Sequence, residues 1–485
     1  MTELITLSAL ELRDRIHRGS ITSRQVVDAH IARIEAVNPA INAVVRTRFD
    51  QARREADEAD VRIAASPNDL PSFLGVPCTV KEHFELTGFP QTAGLLRRTN
   101  KIATRDATAI QRMREAGFII LGTTNVPEAL TWYESYNKVY GRTRNPWDLE
   151  RTAGGSSGGE GAILAAGGSP IGLAGDTGGS IRMPCVFNGI VGHKSSSHLV
   201  PHTGTWPDST QGLISKYKCL GPMGRTVADV RALLPILAGP DGEDPNTVGC
   251  PDLDPATVDL ANTRIYWFDD NGIVRPDADT TEAVQRAVEA LQQRGFQVEY
   301  WRPQRIKKSL EVWAFGLGHG SDTNFSDTLA DFSEPIQLGT QLLRWPLRRA
   351  DHIGPCLGLA AIEKIISRFG NHGEAMLQLR LDFQKEVEDK LGSQAVLICP
   401  SFHKAAPRHR WDCLRGTLGF SYSGVFNALE LPATAVPTGL GSNTGLPNGV
   451  QVVGRRRNDA LTLAVAEQLE LALGGWQLAT PTGVS

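Results

Sequence analysis

The chain has 485 residues, a formal net charge of −3, 41% apolar residues and 21% charged residues. That balance is ordinary for a soluble globular enzyme and leaves no basic excess to attract nucleic acid. No apolar run approaches the ~18 residues that span a bilayer, and Met1-Thr2-Glu3-Leu4 lacks the basic-then-apolar pattern of a secretory leader, so a cytoplasmic protein is expected. The seven cysteines, at 78, 185, 219, 250, 356, 399 and 413, include no Cys-x-x-Cys pair. They read as reduced, mostly buried thiols, with no metal and no cofactor expected.

Residues 1–65 read as helices. Ser8-Ala9-Leu10-Glu11 and Thr22-Ser23-Arg24-Gln25 have the form of capping boxes, in which each end satisfies an orphan amide of the other. Val26, Val27, Ile31 and Ile34 then recur on one helical face, and Asn38-Pro39 is expected to stop that helix. Arg53 to Asp60 reads as an exposed charged face.

From residue 70 short apolar runs alternate with helical patterns. Gly75 to Val80 reads as a strand, 106–117 as a helix ended by Gly117, and Phe118 to Gly122 as a buried strand. The rhythm returns at Arg264–Phe268, a helix over Thr281–Arg294, and Phe296–Tyr300. It returns again at Ala395–Cys399, Ala433–Val436, Val450–Val453 and a closing helix over Ala460–Leu473. This β-α-β texture predicts an α/β fold, a sheet covered by helices on both faces. Length alone suggests two to four domains. No linker divides the chain and no internal repeat appears, so 1–485 reads as a single domain. Within it, 1–65 is an N-terminal helical segment, 75–225 the catalytic core, and 302–375 a helical insertion.

Eleven glycines fall between 154 and 179. Such a stretch can aim successive backbone N–H groups at one point, as an anion site or an oxyanion hole does. Three chemistries share the pattern. A phosphate loop needs a Gly-Lys-Ser/Thr ending, and no lysine lies between 139 and 193. A nucleophile elbow centred on Ser157 needs a buried strand before it, whereas Asn145 to Arg151 reads as a polar turn.

The third is a family resemblance. Gly154-Gly155-Ser156-Ser157-Gly158-Gly159 is followed, 24 residues after Ser156, by Ser180 within Gly178-Gly179-Ser180-Ile181-Arg182. With Lys81 at the end of Gly75-Val76-Pro77-Cys78-Thr79-Val80-Lys81, this resembles the amidase-signature family. The resemblance spans nearly the whole chain, including 122–128 and 445–451. Glu160 departs from it, since many members carry serine there; the catalytic positions are expected to be untouched.

The resemblance implies a large twisted mixed central sheet and a Ser-cisSer-Lys triad. Ser180 would attack the amide carbonyl, Ser156 after a cis bond to Gly155 would pass the proton, and Lys81 would receive it. Histidine, the usual base, is absent between 84 and 192. A lysine can serve only if its pKa falls well below the free value of about 10.4, which burial achieves. The amides of Thr177, Gly178, Gly179 and Ser180 would form the oxyanion hole. Asp176 and Arg182 would hold the loop as an ion pair, and Ser157 would be structural. Leu130, Trp132 and Tyr133 are expected to line the substrate pocket.

Within the family, 81–84, 422–429 and the helix ending at Gly474-Gly475-Trp476 resemble the fatty-acid amide hydrolase branch and its bacterial relatives. A hydrophobic acyl or aryl amide is then the expected small-molecule substrate. The amidase component of a glutamine-dependent tRNA amidotransferase and a non-catalytic binding protein stand as alternatives. The 302–375 insertion is dense in Leu338, Leu342, Leu343, Trp345, Leu347, Ile353, Leu357, Leu359, Ile362, Ile365 and Ile366, with Arg344, Arg348 and Arg349 interspersed. It reads as a helical pair packed on the core, or as an acyl-channel cap touching membrane through 336–366. Pro346 and Pro355 exclude one long helix. A homodimer is a further possible assembly.

Overall fold

Phe118-Ile119-Ile120-Leu121 shows how the chain builds its core. Successive strand residues face opposite sides of a sheet. Ile119 and Leu121 pack with Val27, Ile31 and Ile34 of helix Ser23–Ile41, whereas Ile120 packs with Ile110 and Met113 of helix Thr108–Glu115. Both faces of the strand therefore meet helices. Val396 and Ile398 likewise enter one core while Leu397 and Cys399 enter another. The computed structural model describes residues 2–208, 210–318, 325–366 and 373–481.

Eleven strands form the central sheet: β1 (Val44–Thr47), β2 (Pro77–Lys81), β3 (Ile119–Thr124), β4 (Ile171–Asp176), β5 (Val191–Lys194), β6 (Cys219–Gly224), β7 (Arg264–Trp267), β8 (Gln297–Tyr300), β9 (Ala395–Pro400), β10 (Ala433–Leu440) and β11 (Pro447–Gly454). Their order is β1-β3-β2-β4-β6-β5-β10-β11-β9-β7-β8. The sheet is mixed. β2 runs parallel to β3 and β4, and β7 parallel to β8 and β9. β4, β6, β5, β10, β11 and β9 pair antiparallel in turn. The expected α/β fold with a mixed central sheet is what the chain forms.

Local chemistry explains most element ends. Both capping boxes are made, Ser8 with Glu11 and Thr22 with Gln25. The long helix does not stop at Asn38-Pro39, however. It runs from Ser23 to Ile41 and ends at Asn42, whose φ is 49°. Pro39 lies in the last turn, where the Asn38 side chain accepts from the Ala43 and Val44 amides and holds the exit. The helix expected from Thr281 begins at Ala278, because Asp277 caps the Thr280 amide. The segment read as a polar turn at 145–151 is a small hairpin, Arg144–Asn145 pairing with Asp148–Thr152.

The described parts of the 302–375 segment are short helices and the start of the longer helix Gly373–Leu391. Residues 319–324 and 367–372 lie outside the described structure, as do the side chains of Ile365 and Ile366. Helix Ser309–Gly318 packs inward through Val312 and Phe315, and helix Gly354–Ile366 through Cys356, Leu357 and Ala360. Between them, Leu342, Leu343, Trp345 and Leu347 stay exposed beside Arg344, Arg348 and Arg349. Among the described residues no helix is long and apolar enough to cross a membrane. All seven cysteines are free thiols, and Cys250 alone is exposed.

Candidate active site

Parallel pairing of β2 with β4 sets the site. The register places Thr79 beside Gly172 and Val80 beside Leu173, so Lys81 and Asp176 close their strands at the same end of the sheet. Ser156 sits in the loop before helix Gly158–Ala165, and Ser180 in the loop after β4. The Ser157 amide donates to the Ser180 carbonyl at 3.2 Å and joins the two loops.

Lys81 is 1% exposed and its Nζ lies 2.7 Å from Ser156 Oγ and 3.1 Å from the Gly175 carbonyl. Ser156 is also buried, at 3%, while Ser180 is partly exposed. The Gly155–Ser156 peptide bond is cis. Gly155 is required here by space: a Cβ would fall 2.5 Å from the Trp132 carbonyl oxygen. Ser157 points elsewhere, its hydroxyl donating to Gly175 at 3.3 Å.

Burial lowers the Lys81 pKa to about 7; Asp176 and Glu160 oppose the shift and Lys218 reinforces it. A neutral amine near pH 7 can accept a proton. Asp176 behaves oppositely. Burial alone would raise its pKa, but the Arg182 guanidinium and backbone amides hold the carboxyl well below the usual carboxylate range. Arg182 Nη2 lies 3.0 Å from Asp176 Oδ1 and Nε 3.0 Å from Oδ2, a bidentate pair. Arg182 also donates to the Ser423 carbonyl at 3.0 Å, Gln451 Oε1 at 2.7 Å and Asn427 Oδ1 at 2.5 Å, so the buried charge is fully paired.

Asp176 also shapes the loop beyond β4. It accepts from Gly179 at 2.7 Å and Ile181 at 3.0 Å. The Gly179 amide is therefore turned onto Asp176. Among the described residues the amides of Thr177, Gly178 and Ser180 meet no protein acceptor.

The expected substrate-binding residues divide. Trp132 and Tyr133 back the Gly155–Ser156 segment and are buried with Met183, Phe187 and Phe402. The Tyr133 hydroxyl donates to the Cys413 carbonyl. Leu130 instead joins a separate apolar cluster with Ala93, Leu95 and Ile353.

Lys218, His83 and Trp313 reach the site without a role assigned from sequence, and Glu160, marked there only as a departure from the family pattern, reaches it too. Glu160 is buried below Lys81, taking hydroxyl hydrogen bonds from Thr79 and from Thr124, the latter at 2.7 Å. Burial raises its pKa to about 7, and its charge acts on Lys81, so this departure from the family pattern does reach the site. Lys218 is a second buried lysine, lowered by burial to about 7, donating to Thr205 Oγ1 at 2.6 Å and the Pro207 carbonyl at 2.7 Å. His83 packs on Gly175 and is held neutral by burial and by Lys81 and Lys218. Trp313 donates from its ring to the Thr177 carbonyl at 2.9 Å. The one sequence signal was Glu160, an acid inside an apolar, glycine-rich helix.

The Amidase family profile matches residues 25–463. The chain belongs to the amidase-signature family. Human fatty-acid amide hydrolase 2 is 39% identical over 490 residues, covering 98% of this chain and 90% of that protein. An acylamidase of Rhodococcus erythropolis is 30% identical over 478 residues, covering 97% and 96%. One component of the glutamyl-tRNA(Gln) amidotransferase of Roseiflexus castenholzii is 36% identical over 488 residues, covering 96% of each. This amidase is thus a hydrolase of amide C–N bonds.

Proposed function

We propose that this amidase cleaves a hydrophobic acyl or aryl amide through an acyl-enzyme on Ser180. The observation that carries the mechanism is the buried 2.7 Å contact between Lys81 Nζ and Ser156 Oγ, beside a partly exposed Ser180. Neutral Lys81 takes the Ser156 proton while Ser156 takes that of Ser180. The freed Ser180 oxygen adds to the carbonyl carbon. The oxyanion then lies against the unpaired amides of Thr177, Gly178 and Ser180. Collapse breaks the C–N bond as the proton returns through Ser156 to the leaving nitrogen. Water, activated by the same relay, releases the acid.

Aromatic surroundings support the substrate class. Trp313 stacks on Phe420 at 5.7 Å, Phe420 meets Tyr133 edge-on at 5.2 Å, and Tyr133 adjoins Trp132 at 5.1 Å. This row runs from the oxyanion loop to the Ser156 loop and favours apolar chains or rings. Because Trp313 comes from the 302–375 segment, that insertion serves as a cap over the site. Its exposed Leu343, Trp345 and Leu347, set among three arginines, support contact with an anionic lipid surface.

A hydrolysis panel of short-acyl, long-acyl and aryl amides, with glutamine included, tests the reading. The purified chain is expected to hydrolyse long-acyl or aryl amides and to leave glutamine intact. Ammonia release from glutamine alone would favour an amidotransferase component. No turnover of any amide would favour a binding protein.

A further inference from the structure

Trp313 occupies a constrained place. Its indole Nε1–H donates to the Thr177 carbonyl at 2.9 Å. A Cβ on Gly178 would meet the ring at 2.8 Å, and one on Gly424 at 3.0 Å. Phe420 stacks on it with an interplanar angle of 11°. The ring is therefore gripped from several directions and its N–H has one direction to point.

The carbonyl it holds belongs to the peptide that links Thr177 to Gly178. That bond is trans. In a planar trans peptide the C=O and the following N–H point in opposite directions. With the Thr177 carbonyl facing the indole, the Gly178 N–H must face away from it. Among the described residues this N–H meets no protein acceptor. We propose that Trp313 is a positioning residue that fixes the Thr177–Gly178 peptide so that the Gly178 N–H serves as an oxyanion donor. This rests on the reading of Ser180 as nucleophile.

The neighbouring peptides have their own anchor. Asp176 holds the Gly179 and Ile181 amides. Trp313 is the one donor to the Thr177 carbonyl among the described residues. Without it, rotation about Thr177 ψ and Gly178 φ is open, because glycine tolerates either sign of φ. A rotated peptide would present a carbonyl oxygen where the developing negative charge needs a donor. The cost would fall on the transition state and not on ground-state binding.

The test compares wild type with Trp313→Phe and with 3-benzothienylalanine at position 313. The first keeps an aromatic ring, and the second keeps the ring shape with sulfur in place of N–H. Rates are measured on a short-acyl and a long-acyl anilide. Both variants are expected to lose about 10- to 100-fold in kcat on both substrates, with KM within about threefold of wild type. The acid limb of the pH profile stays in place. A kcat within about threefold of wild type in the isosteric variant overturns the proposal. So does a loss confined to KM for the long chain, which would make Trp313 a wall of the acyl pocket. If Trp313→Phe fails to fold, the isosteric variant decides. Failure of the nucleophile reading looks different: a fluorophosphonate would label wild type and Ser180→Ala alike.

Discussion

A Cβ on Gly172 would fall 1.8 Å from Oε1 of Glu160. The strand glycine makes the space into which the helix carboxyl fits, and β2 and β3 supply Thr79 and Thr124 to hold it. The two residues are one packing unit. Gly172→Ala is therefore expected to destabilise the fold by about 2–3 kcal/mol, through overpacking and displacement of a buried polar group. Urea unfolding measures it. An unchanged midpoint would show that Glu160 can swing elsewhere at no cost.

The groups around Lys81 give a pH prediction. Lys81 must be neutral to accept a proton, and its pKa is about 7. kcat/KM is expected to rise with pH through that value, wherever proton transfer limits the rate. The groups that act on it are Asp176 and Glu160, which favour its charged form, and Lys218, which opposes it. Glu160→Gln should move the acid limb to lower pH, and Lys218→Met should move it to higher pH. Shifts in the same direction for both would refute this electrostatic picture. Stability follows the same group. Between about pH 7 and 10.4 the unfolded chain holds a proton that folded Lys81 has shed. This lysine's contribution to stability therefore rises with pH across that window.

The three serines have separable expectations. Ser180→Ala should abolish both hydrolysis and fluorophosphonate labelling. Ser156→Ala should lower kcat by about 10²- to 10⁴-fold, the span of general acid–base catalysis, with Ser180 still labelled slowly. Ser157→Ala removes one hydrogen bond to Gly175 and should cost about 1 kcal/mol of stability while leaving Ser180 reactive. Labelling lost only in Ser157→Ala would move the nucleophile to that residue.

What the sequence could and could not show follows from distance along the chain. The capping boxes at Ser8 and Thr22 are local, and both are made. The strands at Lys81 and Ile119 are apolar runs bounded by turns, and they pair. The glycine loop and the upstream lysine are legible because a known family repeats them. Pro39 misled because a proline in a helix's last turn loses little when a side chain such as Asn38 holds the exit. Lys218 and Trp313 approach the site from 137 and 133 positions beyond Lys81 and Ser180 respectively. No local pattern marks either; only the pairing of β6 with β4 and the packing of the insertion bring them in.

The exposed apolar ridge of the insertion yields the last prediction. Leu343 is 79% exposed, Leu347 67% and Trp345 51%, with Arg344, Arg348 and Arg349 exposed beside them. Leucines at water cost little singly, but a contiguous set with basic neighbours suits the headgroup boundary of an anionic bilayer. Each arginine near such a surface is worth about 1 kcal/mol, a term that salt screens. The chain is therefore expected to co-sediment with phosphatidylserine-containing vesicles at low salt and to release as salt rises. Leu343→Ser with Leu347→Ser should weaken binding at every salt concentration, because it removes the apolar part. Arg348→Gln with Arg349→Gln should instead flatten the salt dependence. Hydrolysis of a water-soluble anilide should be the same in all of them, since these side chains face solvent and the Lys81–Ser156–Ser180 site is untouched. Binding equal to wild type in both double variants would remove the ridge from any lipid contact.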